Sequence, residues 1–125
     1  MKTVFRILVS LPAILFVVMG LRWVVDPAGA APGLGMTLMQ GVGLSSQIAD
    51  IGAFFIGMGT MILIGLITQT RAWFQAPALL LALAAVLRVL AWLVHDAALA
   101  LSMIVVEVVI ATLLLLASSR LSQEK

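Results

Sequence analysis

Four apolar runs, residues 4–25, 46–67, 77–94 and 97–118, are each long enough to cross a bilayer, yet Asp50, Arg88 and Glu107 lie inside three of them. A hydrocarbon core about 30 Å thick takes roughly 20 helical residues to cross. In that medium every backbone N–H and C=O must be satisfied within the protein. The alternating pattern of a barrel strand is missing, so all four runs are expected to be helices. The expected fold is all-α: a four-transmembrane-helix bundle forming one membrane domain over residues 1–125. Pro12 is expected to kink the first helix.

Composition narrows what such a chain does. It is 64% hydrophobic and 10% charged, against an apolar share of roughly 45–50% in soluble domains. The four runs take about two thirds of its length, so any chemistry belongs to the bundle or its faces. The absence of cysteine excludes disulfides, thiolate catalysis and thiolate metal sites within this chain. No cofactor is expected. The net charge of +2 comes from scattered basic residues that make no nucleic-acid stripe. Lys2 and Arg6 before an apolar run, with Ala28-Gly29-Ala30 after it, imitate a cleaved signal. The run is longer than a signal core, however, and Arg22 and Asp26 interrupt it just before the supposed cut.

The connections carry orientation. Lys2, Arg6, Arg71, Arg120 and Lys125 fall on one side and Arg22 on the other, so both termini are expected in the cytoplasm of a bacterial cell, with the chain in its inner membrane. The first linker, residues 26–45, is rich in Gly and Pro. It is expected to start a short helix at Asp26-Pro27 and then lie over the outer end of the bundle as a lid. Arg71 and Trp73 mark the second linker, 68–76, as interfacial. The third is only His95-Asp96, with Asp96 capping the last helix, and the tail from Arg120 is expected to fray.

Charge inside hydrocarbon needs a partner or a task. Arg88 lies eight residues before Asp96 and Glu107 eleven after it, depths of roughly 12 and 16 Å on a tight hairpin, within an arginine's reach. Leu81, Ala84, Ala85, Arg88, Ala91 and His95 share a face of mostly small residues. Asp50 does so with Ala53, Gly57 and Thr60, beside a second stripe at Gly52 and Gly59. Both are read as facing inward, with Arg88 bridging Asp50 and Glu107, and with Arg22, His95 and Asp96 at the edge of the cluster. Two readings follow: a structural network that fixes helix register, or a pocket or proton path. A metal site on His95 lacks a second histidine, and Met36 and Met39 read as packing.

The segment Asp26-Pro-Ala-Gly-Ala-Ala-Pro-Gly-Leu-Gly-Met36, then Asp50-Ile-Gly-Ala-Phe-Phe-Ile-Gly-Met-Gly59, then Pro77-Ala-Leu-Leu-Leu81 with Arg88 and His95-Asp96, resembles a bacterial domain-of-unknown-function family of small four-helix membrane proteins. That family is distantly similar to DoxX-like proteins, whose members include oxidoreductase-associated subunits and assembly factors. The resemblance covers most of the chain. It implies the four-helix membrane fold and weight on Asp50, Arg88, Asp96 and Glu107, but no catalytic residues.

The resulting expectation is a non-enzymatic membrane protein. Its Arg/carboxylate cluster binds a lipid-like or small amphipathic ligand, or a membrane partner, which includes a second copy of the chain. The rivals are an accessory subunit of a larger membrane complex, and a proton-coupled transporter or intramembrane enzyme that uses Glu107.

Overall fold

The computed structural model describes residues 2–123, and all regular structure among them is helical. Helix α1 is Lys2–Val25, α2 Pro27–Ala30, α3 Val42–Ser46, α4 Gly52–Thr68, α5 Ala72–His95 and α6 Leu101–Arg120. A π-helical turn, Gln47–Ile51, joins α3 and α4 into one rod, Val42–Thr68. Four rods, Lys2–Val25, Val42–Thr68, Ala72–His95 and Leu101–Arg120, are long and apolar enough to cross a membrane. Their outward faces carry Ile14, Val18, Leu79, Leu87, Val109 and Leu115, each at least half exposed. An exterior of that kind suits lipid, because a water-soluble bundle places polar residues there. The chain is an integral membrane protein by this criterion.

Glycine sets the closest helix pair. A Cβ on Gly20 would lie 2.9 Å from the Gly52 carbonyl oxygen and the Ile56 nitrogen, and one on Gly59 would lie 2.5 Å from the Ala13 oxygen. The backbones of α1 and α4 therefore approach to a distance that only hydrogen side chains permit. The core runs along the bundle axis through Val9, Ala13 and Phe16 of α1, Phe55, Met58 and Ile62 of α4, Phe74, Ala78 and Leu81 of α5, and Ala111, Leu114 and Ala117 of α6. Phe74 rests on Gly65, where a Cβ would meet its ring at 3.0 Å.

The small stripe expected to face inward on the second span faces out. Asp50, Ala53 and Thr60 are exposed, and a Cβ on Gly57 would meet nothing within 4 Å. Two adjoining stripes of small residues share this helix, and α1 packs on the one that carries Gly52 and Gly59. Periodicity alone does not rank them.

Three boundaries also move. The second rod begins at Val42, four residues inside the expected linker. Helix α5 begins at Ala72, five residues before Pro77, which sits buried inside it. Proline forfeits only its own donor and the carbonyl four residues back, a loss confined here to the first turns. Helix α6 begins at Leu101 because Asp96 (φ 57°) and Ala100 (φ 53°) are both left-handed, leaving residues 96–100 as the connection. Asp96 therefore closes α5 rather than capping α6, the backbone N–H at this cap donating to the Ala91 carbonyl oxygen. Its short polar side chain tolerates that conformation better than most.

The first and last described residues lie at one end, where two tethers hold them. Arg6 Nη2 donates to the Leu66 oxygen at 2.7 Å, satisfying a carbonyl in the last turn of α4. The Gln123 N–H donates to the Gln69 oxygen at 3.0 Å, and Leu121 is buried in the core. The chain from Arg120 to Gln123 is thus docked rather than frayed. Lys125, assigned to this side from the sequence, lies outside the described residues.

Candidate functional site

Arg88 and Glu107 come together on the hairpin of α5 and α6, with Arg88 Nε donating to Glu107 Oε1 at 2.9 Å. The helices supply this register. Arg88 follows Leu81 and Ala85 on the buried side of α5, and Glu107 precedes Ala111 and Leu114 on that of α6. The side chains are unequally covered, Arg88 at 33% exposed and Glu107 at 11%. Trp73 and Trp92 of α5 are both exposed and stand 19 residues apart, about 28 Å, the separation of two aromatic belts. Arg88 lies one turn, about 6 Å, inside Trp92. The pair therefore occupies the leaflet at the linker end of the bundle, just below the interface.

It opens on a cleft of about 280 Å³. Leu15, Phe16 and Met19 of α1, Phe54 and Phe55 of α4, Leu81 of α5, and Met103, Val106 and Ile110 of α6 line it, with Gly33 and Leu34 of the first linker at its edge. Besides the ion pair, only Ser102 adds a polar side chain to this lining. Phe55 stacks obliquely on Phe16, centroids 5.8 Å apart, and meets Phe54 edge-on at 5.3 Å, giving the cleft a firm aromatic wall.

The linker is built to stay over this end. Asp26 accepts from the Gly29 N–H at 3.2 Å and starts α2 with Pro27 behind it. A 3₁₀ turn, Ala31–Leu34, then tucks Ala31 into the bundle and ends at Gly35 (φ 70°), where glycine meets no Cβ penalty. The remaining strap is pinned by Gln47. Its Oε1 accepts from the Met39 N–H at 2.9 Å, while its Nε2 donates to the Thr37 oxygen at 3.1 Å and reaches the Met36 sulfur at 3.9 Å. Gln47 is 8% exposed. Sequence reasoning missed it. The only signal was an amide at the mouth of an apolar run, beside a linker too rich in Gly and Pro to satisfy all of its backbone by regular structure.

The other sequence-selected residues stand apart from the pair. Asp50 is exposed on the π turn and makes no side-chain hydrogen bond or ion pair among the described residues, so the bridge from Arg88 to Asp50 is not formed. The physical reason is the stripe choice above, which turns Asp50 away from the α5 face that carries Arg88. Arg22 is exposed too. Its Nη2 stands beside the linker, 3.0 Å from where a Cβ of Gly29 would be, rather than beside Asp50 or Asp96. His95 and Asp96 are exposed at the hairpin tip, outside the cleft lining. No group of three His, Cys, Asp or Glu residues suited to a metal ion occurs among the described residues. Met36 turns its sulfur toward the Gln47 amide.

Comparison of the chain with protein-family models, with curated proteins and with solved structures finds no match.

Proposed function

We propose that this protein binds a lipid-like or small amphipathic molecule in the cleft beneath its first linker, with Arg88 and Glu107 as the polar anchor. One observation carries the reading: an apolar cleft of about 280 Å³ with a single charged pair at one point on its wall. That volume is just below the usual range of ligand sites, roughly 300–1,000 Å³, which suits a small head, and an apolar wall with one polar anchor matches a molecule with a tail and a head. The reading includes membership of the DoxX-like four-helix bundles, a bacterial inner-membrane location and cytoplasmic termini. The last two rest on Lys2, Arg6, Arg71 and Arg120 at the terminal end. Reporter fusions at each linker test the topology: signal from a periplasmic reporter is expected only at the linker over the cleft and at the α5–α6 turn. Photolabelling in lipid nanodiscs with a diazirine-tailed amphiphile tests binding. Adducts concentrated on Phe54, Met103 and Val106 support the site, and adducts spread evenly over exposed Val109 and Leu115 refute it.

A second reading, an accessory subunit or a homo-oligomer, is favoured by the outward stripe of Asp50, Ala53, Gly57 and Thr60. Small residues on a lipid-facing helix permit close approach by another helix. Cysteine pairs introduced at Ala53 test it. Disulfide-linked dimers formed in native membranes at low expression support it, and exclusively monomeric protein refutes self-association.

A further inference from the structure

The balance of charge in the cleft limits which head the bound molecule carries. Among the described residues, Arg88 and Glu107 are the only charged side chains lining it. The neighbouring elements contribute Leu15, Phe16 and Met19 from α1, Phe54 and Phe55 from α4, and Gly33 and Leu34 from the linker, none of them charged. The pair is therefore neutral as a unit. A head bearing a net charge would leave one charge uncompensated in a low-dielectric setting, the costliest arrangement available there. An uncharged head adds no such term.

Hydrogen-bonding capacity at the pair is far from used up. A guanidinium has five N–H donors and a carboxylate two acceptor oxygens, and the two side chains here share one bond, Nε to Oε1. Neither the Nη atoms of Arg88 nor Glu107 Oε2 is among the sealed-off polar atoms of the structure. A group meeting both must accept from the Arg88 Nη donors and donate to Glu107 Oε2. A hydroxyl does both, and a carboxylate or a quaternary ammonium does not.

We infer that the cleft selects an uncharged, hydroxyl-bearing single-chain lipid of the monoacylglycerol class, its hydroxyls bridging Arg88 and Glu107. This rests on the binding reading proposed above. Size agrees, since a cavity of roughly 150 Å³ holds benzene and 280 Å³ accepts a small polyol head with the first carbons of a chain. The rest of the tail leaves between α1 and α6, where Leu15 and Val106 line the cleft while staying about half exposed at its rim.

The test is photolabelling of the purified full chain in phosphatidylcholine nanodiscs with three probes that share one diazirine tail: a monoacylglycerol, a fatty carboxylate and an alkyl trimethylammonium. Adducts are localised to single residues by tandem mass spectrometry, with Met103, Val106 and Ile110 reporting the cleft and Val109 the outward face. Wild type is expected to take up the monoacylglycerol at least about tenfold more than either charged probe, the factor that corresponds to 1.4 kcal/mol. Glu107→Gln shifts preference toward the carboxylate, and Arg88→Gln toward the ammonium. Equal or better labelling by the carboxylate in wild type overturns the inference and leaves binding intact. Labelling of the cleft by none of the three above the level at Val109 overturns the binding reading itself. The wild-type comparison needs no variant to fold.

Discussion

Removing one partner of the Arg88–Glu107 pair should destabilise the bundle asymmetrically. Breaking a buried pair costs about 3–5 kcal/mol because a charge is left without its counterion. Arg88→Leu strands Glu107, whose side chain is 11% exposed and packed among Ile110, Ala111 and Leu114, and should cost about 3 kcal/mol, the lower end of that range. Glu107→Leu strands Arg88, which is 33% exposed and stands about one turn below Trp92, close enough to snorkel to the headgroups. That discount leaves about 1–2 kcal/mol. The double variant removes both charges and fills their space with hydrocarbon, so it should fall within about 1 kcal/mol of wild type. The singles together predict a loss of about 4–5 kcal/mol, and the coupling is therefore about 3–5 kcal/mol. Unfolding in mixed micelles of dodecylmaltoside and sodium dodecyl sulfate, followed by tryptophan fluorescence, measures all four proteins. Equal single losses that add within about 0.5 kcal/mol in the double variant would show that the two side chains do not act as a pair, and the reasoning would fail.

Three further outcomes follow from the packing. Gly59→Ala should cost about 1–2 kcal/mol in the same titration, since its Cβ would lie 2.5 Å from the Ala13 oxygen and must push α1 away. Gly57→Ala, two residues earlier, meets nothing within 4 Å and should be neutral or slightly stabilising; a loss at residue 57 equal to that at 59 would contradict the assignment of the packing stripe. Gln47→Leu should release the strap at residues 35–41, with amide exchange at Met39 rising roughly tenfold, as loss of about 1–1.5 kcal/mol of hydrogen bonding implies. Unchanged protection there would show that the strap is held otherwise. Arg6→Gln should lower stability by about 1–2 kcal/mol through the Leu66 carbonyl, and a variant as stable as wild type would assign Arg6 to topology alone.

The four spans were legible because hydrocarbon imposes length and self-satisfaction on any crossing helix, and the α5–α6 register was legible because a short turn converts residue number into depth. What escaped was rotation. Asp50 and Gln47 are three residues apart, both polar and both at the mouth of one apolar run, yet one faces outward and the other holds the linker. Which face of a helix turns inward depends on its neighbours, and in a span apolar all round the hydrophobic pattern gives no direction. Asp96 shows the same limit at a boundary. An Asp between two helices reads equally as the start of one or the end of the other, and only its left-handed φ of 57° decides.

The cleft itself arises from how unevenly the helices pack. Gly20, Gly52 and Gly59 draw α1 onto α4 until backbones touch, and the turn at residues 96–100 holds α5 against α6. The two pairs then meet through large side chains, Phe16, Phe55, Leu81 and Leu114, which fill the axis, while Leu15 and Met19 of α1 and Met103 and Val106 of α6 border a gap toward the linker end. The Arg88–Glu107 pair faces that gap, with the 3₁₀ turn of the linker over it. A network needed only to fix register gains most from full enclosure, where each donor and acceptor meets a protein partner. Here one bond is made between the two side chains, and both residues line a cleft whose wall is otherwise almost entirely apolar. That incompleteness is costly for a purely structural pair, and it is what a site that exchanges hydrogen bonds with a visiting head requires.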